Sequence, residues 1–289
     1  MSNFNLFKNR LRLTGTLELE TALRVGSGST DNLSSADISV VKDNLYRPYI
    51  PGSSFKGVLR AHIERVIRLV EPNCGRGLGA CNPLRDDERC LSNTQIENLK
   101  KEFEKDPQRL DAELFDRSCR ICRVFGAPWL ASKVLIKDLL LAHPDLWMER
   151  RYQVRNGVGI DRDNETASQG LLYDYEVVPS GTLFNWEIII ENADQSADRT
   201  EDGLVMLGLN EFANGRVQLG GGRSHGLGWV KLHFDDEAEI IDASNRDDFI
   251  KYLATGKGCK KSREYILKRA VLFASILAKQ EGKNVQASI

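Results

Sequence analysis

The 289-residue sequence has no apolar run approaching the ~20 residues that a membrane-spanning helix needs. Its start, Met1 to Lys8, lacks the long apolar core of a secretory signal. Charge of one sign is also missing: 40 Lys and Arg against 41 Asp and Glu leave −1. A globally basic protein, the easiest argument for nucleic-acid binding, is therefore excluded, while a local basic surface balanced by acidic faces is not. Histidine is scarce, with 4 residues. No His-Glu-x-x-His, Gly-x-Ser-x-Gly or paired-histidine ribonuclease arrangement occurs, so those signatures are out. There is no internal repeat, low-complexity tract or Pro/Gly linker. The expectation is one decorated domain in a cytoplasmic protein with no membrane partner, although the length would allow two domains of roughly 100–200 residues.

What is present is ordinary globular material, 41% hydrophobic and 28% charged. Residues 11–20 alternate leucine with polar residues, predicting a half-buried strand. Residues 53–70 put Leu59, Ile63, Val66, Ile67 and Val70 on one helical face behind an N-cap-like Ser53–Ser54. Strands are expected over 134–142, 182–191 and 227–234, and a short helix over 204–212 ending at Asn214–Gly215. That order, strand, helix, strand, strand, helix, strand, is the split β-α-β pattern of an α+β, modified ferredoxin-like fold with an antiparallel sheet. Large insertions fall at about 71–132 and 143–181, and a further helix at 262–280.

Five of the six cysteines, Cys74, Cys81, Cys90, Cys119 and Cys122, lie within 49 residues. Cys119-Arg-Ile-Cys122 is a C-x-x-C knuckle that can direct two thiolates at one tetrahedral ion. In a segment with few large apolar residues, a structural zinc would supply folding energy. The expected ligands are Cys81, Cys90, Cys119 and Cys122, with Cys74 as the substitute; a redox pair or free thiols are the rivals.

Gly220-Gly221-Gly222-Arg223-Ser224-His225-Gly226-Leu227-Gly228 allows close backbone approach to a ligand and offers successive N–H donors to phosphate. It lacks the Lys-Ser/Thr ending of a Walker loop, and its bland alternative is a glycine-rich turn. The helix start Pro51-Gly52-Ser53-Ser54-Phe55-Lys56, with Arg60 one turn on, suits phosphate, but Lys56, Arg60, Glu64 and Arg68 also read as a solvated helix side. Asp31, Asp37 and Asp43, in a small polar loop, are turn residues or carboxylates beside a sugar–phosphate chain.

Taken together, Leu23–Gly28, Ala36–Asp43, Tyr49–Arg60, Val124–Gly126, Gly159–Arg162 with Thr166–Ala167, and Leu219–Gly228 resemble the RAMP superfamily of type III CRISPR effector proteins, specifically the backbone subunit repeated along the guide. The resemblance implies an RNA-recognition-motif-like palm (about 9–70, 133–142 and 177–236), a zinc insertion (about 71–132), a thumb (about 143–176) and a C-terminal helical segment (about 245–289). It implies binding of CRISPR RNA by Ser53, Ser54, Lys56, Arg60, Arg155, Arg162, Gly221, Gly222, Arg223, Ser224, His225 and Gly226. Target RNA would be cut by Asp37 with a divalent cation, Mg2+ or Mn2+, inside a complex with related subunits. A non-catalytic subunit of the same complex and a nucleotide-binding metabolic enzyme are the competing readings.

Overall fold

The computed structural model describes residues 6–26, 39–147, 152–161, 163, 166–196 and 200–286. Strand β1 (Asn9–Leu19) follows the leucine alternation: Leu11, Leu13, Leu17 and Leu19 are buried and the intervening polar residues lie on the other face. Helix α1 (Gly52–Val70) buries Phe55, Leu59, Ile63 and Ile67. The first insertion holds α2 (Asn93–Glu102), α3 (Pro107–Arg117) and α4 (Arg120–Phe125). Short β2 (Val134–Ile136) and β3 (Leu140–Leu141) come next, then the hairpin β4 (Gln153–Asp161) and β5 (Thr166–Val177). Strand β6 (Leu183–Glu191), helix α5 (Glu201–Ala213) and strand β7 (Val230–Phe234) complete the expected series. Beyond it lie β8 (Glu237–Asp242), α6 (Arg246–Thr255), β9 (Cys259–Ser262) and α7 (Arg263–Gln286).

The fold is mixed α+β on an antiparallel sheet. Strand β1 pairs with β6 along one edge, from Arg10↔Glu191 to Glu18↔Leu183. Its other edge is divided, with β8 taking Asn9–Arg12 and β7 taking Gly15–Leu19. β2 and β3 both pair with β6, and β9 pairs with β8. Gly15 is where β1 meets the turn from β7 to β8: an added Cβ would lie 2.0 Å from the His233 carbonyl oxygen.

The helices pack in series. Phe55 of α1 stacks on Phe212 of α5 at 4.8 Å, and Gly208 lets the two helices close, since its Cβ would lie 2.5 Å from Ile63 Cδ1. Helix α7 then covers α5, held by Arg269, which donates two hydrogen bonds to Asp202 at 2.7 and 2.8 Å. Among the described residues, no helix is long and apolar enough to cross a membrane.

Several expectations change. The single strand expected over 134–142 is two strands, because Lys137–Leu139 turns aside: Leu139 bridges Ile50, and Asp138 accepts the Gly52 N–H at 2.8 Å. The N-cap of α1 is Pro51, and neither Ser53 nor Ser54 caps it. The first insertion is not without apolar residues to bury; Leu91, Ile96, Leu99, Phe103 and Leu114 form a small cluster of their own. Strands β8 and β9 were not expected, since Cys259-Lys-Lys-Ser262 has no strand pattern and is extended only through pairs such as Glu239↔Lys260.

Phe55 and Phe212 are both fully buried. Phe55→Ala is expected to cost about 3–5 kcal/mol through the lost burial and the cavity left behind. The check is the midpoint of urea unfolding, with Ser53→Ala as an exposed control that stays within about 0.5 kcal/mol.

Candidate nucleic-acid interface and metal centre

The glycine-rich segment is a compact loop ahead of β7. Gly220, Gly222, Gly226 and Gly228 all have φ between 71° and 83°, the left-handed region that side chains disfavour. The loop lies directly on the chain leaving β1. Gly221 N–H donates to the Arg24 carbonyl at 2.8 Å and Gly228 N–H to the Ala22 carbonyl at 2.9 Å. A Cβ on Gly220 would sit 2.2 Å from the Arg24 oxygen, and one on Gly228 2.0 Å from the Leu219 oxygen. Leu227 is buried beneath, while Gly221, Arg223, Ser224, His225 and Gly226 are exposed and Gly222 is half-buried. The tip thus carries a guanidinium, a hydroxyl and an imidazole on a tightly held backbone.

The same root supports the β4–β5 hairpin. Leu23 bridges Val178 just beyond β5, and the Arg24 guanidinium lies 5.0 Å from the Tyr175 ring centre. Gly26 bridges Val40, so the loop containing Asp37 leaves and re-enters at one point. Its return is tied to β5: Glu176 accepts from Val40 N–H at 3.2 Å and pairs with Lys42 at 2.9 Å. Lys42 also lies 4.4 Å from the Tyr152 ring centre. Asp37, Asp31 and Arg162 lie outside the described residues. Asp43 is a turn residue: its carboxylate accepts from Leu45 N–H, Arg47 N–H and Arg47 Nε, each at 2.9 Å. Burial opposes its charge, but those donors hold it below the usual carboxylate range. Arg155 is exposed on β4 opposite Tyr175.

The start of α1 is less open than expected. Its Gly52 N–H, a natural phosphate donor, is taken by Asp138. Ser53 is exposed and Ser54 half-buried. Lys56 Nζ donates to Ser132 Oγ at 2.7 Å and the Val134 carbonyl at 2.9 Å, and burial pushes the ammonium below its usual range. Arg60 is engaged with Glu64, the Gly126 carbonyl and Cys122. In the row Lys56, Arg60, Glu64 and Arg68 only Arg68 is exposed; the first three are turned against the first insertion and the chain leading into β2.

That insertion carries the cysteines. The sulfur atoms of Cys81, Cys90, Cys119 and Cys122 all lie within 4.8 Å of one another, with Cys90 half-buried and the other three buried. Cys119 caps α4 and accepts the Cys122 N–H at 3.5 Å, so the knuckle is built by a helix start. The Cys81 and Cys122 sulfurs are 3.5 Å apart. Hydrogen bonding from Cys122, then from Cys74, Cys81 and Cys90, holds the Cys119 thiol far below the usual thiol range despite burial. Cys74 is exposed beside the cluster. A buried pair braces the site: Arg120, inside the knuckle, donates to Glu71 at 2.6 and 2.9 Å, and Glu71 also accepts Gly79 N–H at 2.8 Å. Four sulfurs so close and so buried can hold a metal ion.

Comparison with known proteins places these features. The model of the RAMP superfamily matches residues 16–231. The chain belongs to the RAMP superfamily. Three relatives named CRISPR system Cms endoribonuclease Csm3 are similar to it. The protein from Methanocaldococcus jannaschii is 26% identical over 239 residues, 80% of this chain and 82% of that one. That from Methanothermobacter thermautotrophicus is 24% identical over 250 residues, 78% and 84% of the two chains. That from Enterococcus italicus is 24% identical over 246 residues, 82% and 97%. The matched span of the RAMP chain takes in the glycine loop, the β4–β5 hairpin, α1 and the cysteine insertion.

Sequence reasoning missed the groups that join these parts. Lys42, Tyr152 and Glu176 tie the Asp37 loop to the hairpin, and Asp138 caps α1. A carboxylate at position 176, beside the buried Val177 at the end of an alternating strand, was the one available signal. Glu176→Gln leaves Lys42, its side chain only 11% exposed, without its charge partner and is expected to cost about 3 kcal/mol. Hydrogen exchange at Val40 and Val41 should rise in that variant, while exchange in β1 and β6 stays slow.

Proposed function

We propose that this chain is a CRISPR-RNA-binding backbone subunit of a type III RNA-guided effector complex, and that it cleaves target RNA in antiviral defence in the cytoplasm. The observation that carries this reading is the shared root of three segments. The glycine loop sits on Ala22–Arg24, the Asp37 loop springs from Gly26 and returns at Val40, and the thumb hairpin is pinned there through Glu176 and Tyr175. The names of the three relatives support the same assignment.

In this reading the chain is one decorated RAMP domain. The strand order β7–β1–β6–β2 supports a modified ferredoxin-like palm, with the zinc insertion at about 71–132, the thumb at about 143–176 and the helical segment at about 245–289. Guide RNA is held mainly through phosphate and sugar, because a backbone subunit must accept many sequences. Gly221, Gly222, Arg223, Ser224, His225 and Gly226 supply backbone and side-chain donors. Ser53 and Ser54 contribute at the helix start, and Arg155 and Arg162 on the thumb. Lys56 and Arg60, already bonded within the chain, act on RNA only through the position of α1.

Cleavage is in-line attack by a ribose 2′-oxygen on the adjacent phosphorus, once the thumb has displaced a nucleotide into that geometry. The P–O2′ bond forms as the P–O5′ bond breaks, leaving a 2′,3′-cyclic phosphate and a 5′-oxygen that takes a proton from water. Asp37 either takes the 2′-hydroxyl proton as general base or recruits a divalent ion to the scissile phosphate. A single general base supplies roughly 10²–10⁴-fold, so positioning supplies much of the remainder. Mg2+ or Mn2+, which a carboxylate and phosphate oxygens suit, would neutralise charge at the scissile phosphate, with Asp37 the residue to hold it. In the insertion, zinc suits the donor set: sulfur atoms at about 2.3 Å from a tetrahedral Zn2+ lie about 3.8 Å apart, and the four sulfurs present fall within 4.8 Å of one another.

Asp37→Ala in the assembled complex should retain guide RNA and lose at least about 10²-fold in target cutting attributable to this subunit. Cutting that persists with only this change removes Asp37 from the mechanism and leaves a structural subunit. Arg223→Ala should weaken RNA binding about equally for all sequences and lower the salt dependence of log K by about 1. Filter binding at several salt concentrations measures both.

A further inference from the structure

One row of α1 side chains reaches both stretches of chain that supply the clustered sulfurs. Arg60 Nη2 points to Cys122 Sγ at 3.7 Å, and its Nη1 donates to the Gly126 carbonyl at 3.0 Å, just past the knuckle. One turn on, buried Glu64 accepts from Arg60 at 2.8 Å and from Arg68 at 3.1 Å. Arg68 in turn donates to the Ala80 and Cys81 carbonyls at 3.1 and 2.8 Å. Glu64 thereby fixes both guanidinium groups in place.

We propose that Arg60 is a positioning residue of the metal centre, providing a thiolate hydrogen bond and a compensating charge, and is not an RNA contact. The proposal rests on the zinc reading above. Four thiolates around one Zn2+ leave two net negative charges. Here three of the four sulfurs belong to residues no more than 3% exposed, where uncompensated charge is expensive. A guanidinium stays protonated under all ordinary conditions and can spread its donors over a sulfur, a carbonyl and a carboxylate together. An N–H donated to a ligating sulfur also lowers the electron density the sulfur offers the metal. Because Arg60 belongs to α1, the metal centre and the helix leading from the palm share one rigid connection.

The test uses the full-length chain with Zn2+ or Co2+ as the probe metal, comparing Arg60→Met and Arg60→Lys with the unaltered protein. The unaltered chain should retain about one zinc ion. Arg60→Met should surrender it to a competing chelator 10- to 100-fold more readily, the range typical for groups that orient metal ligands, with Arg60→Lys in between. In the cobalt-loaded protein, the thiolate-to-cobalt charge-transfer band should move to lower energy in Arg60→Met, a change that looser packing alone does not produce. If the unaltered chain holds no metal, the zinc reading itself fails. If it holds zinc and Arg60→Met matches it in chelator competition and in the cobalt band, the role given to Arg60 fails alone. An Arg60→Met chain that keeps its zinc but loses guide RNA returns Arg60 to the RNA surface. Should Arg60→Met not fold, the same two measurements on Arg60→Lys decide.

Discussion

Strand β1 is the constraint from which the rest of the molecule follows. It pairs along its length with β6, and its other edge is divided between β8 and β7. Gly15 stands at the division, because a side chain there would strike the backbone of His233. Its alternating leucines turn one sheet face to the helices. They also set where the chain leaves the sheet, at Leu19, and so where Ala22–Arg24 runs beneath the glycine loop. The candidate RNA-facing parts meet because one strand ends where another begins.

The opposite face of β1 and β6 is closed by cross-strand ion pairs. Arg10 meets Glu191, and Arg12 meets Glu187 and Glu239, while Lys137 also reaches Glu187. Neither strand offers an aromatic ring on that face, where a sheet that reads single-stranded RNA would carry stacking residues. Exposed ion pairs of this kind add little stability each, but they occupy the surface. In the proposed function, RNA recognition therefore falls to the loops at the β1 exit, where the glycine backbone and an exposed Arg223 are presented.

Buried pairs do a different job. Glu71–Arg120 ties α4 to the end of α1, Lys133–Glu201 ties the chain entering β2 to the start of α5, and Asp202–Arg269 ties α7 to α5. Such pairs are weak contributors to net stability, yet losing one partner is costly. They therefore specify one docking arrangement for the insertion and for α7. The Arg60–Glu64–Arg68 row extends the same logic to the cysteine cluster.

How much was legible from the residues depends on how local each cause is. The strands over β1 and β6, the apolar stripe of α1 and the glycine stops could be read directly, because alternation, helical periodicity and positive φ are decided within a few residues. The C-x-x-C knuckle was visible for the same reason. The sequence by itself thus determined the central series β1, α1, β6, α5 and β7, the cysteine-bearing insertion and the glycine loop. Only the tertiary structure decided what the charged groups do. Arg60 meets partners 62 and 66 residues away, Gly52 is capped from 86 residues on, and Glu176 holds Val40 across 136. No local pattern encodes such pairings, since a charged side chain looks solvated in sequence until the fold brings another segment against it.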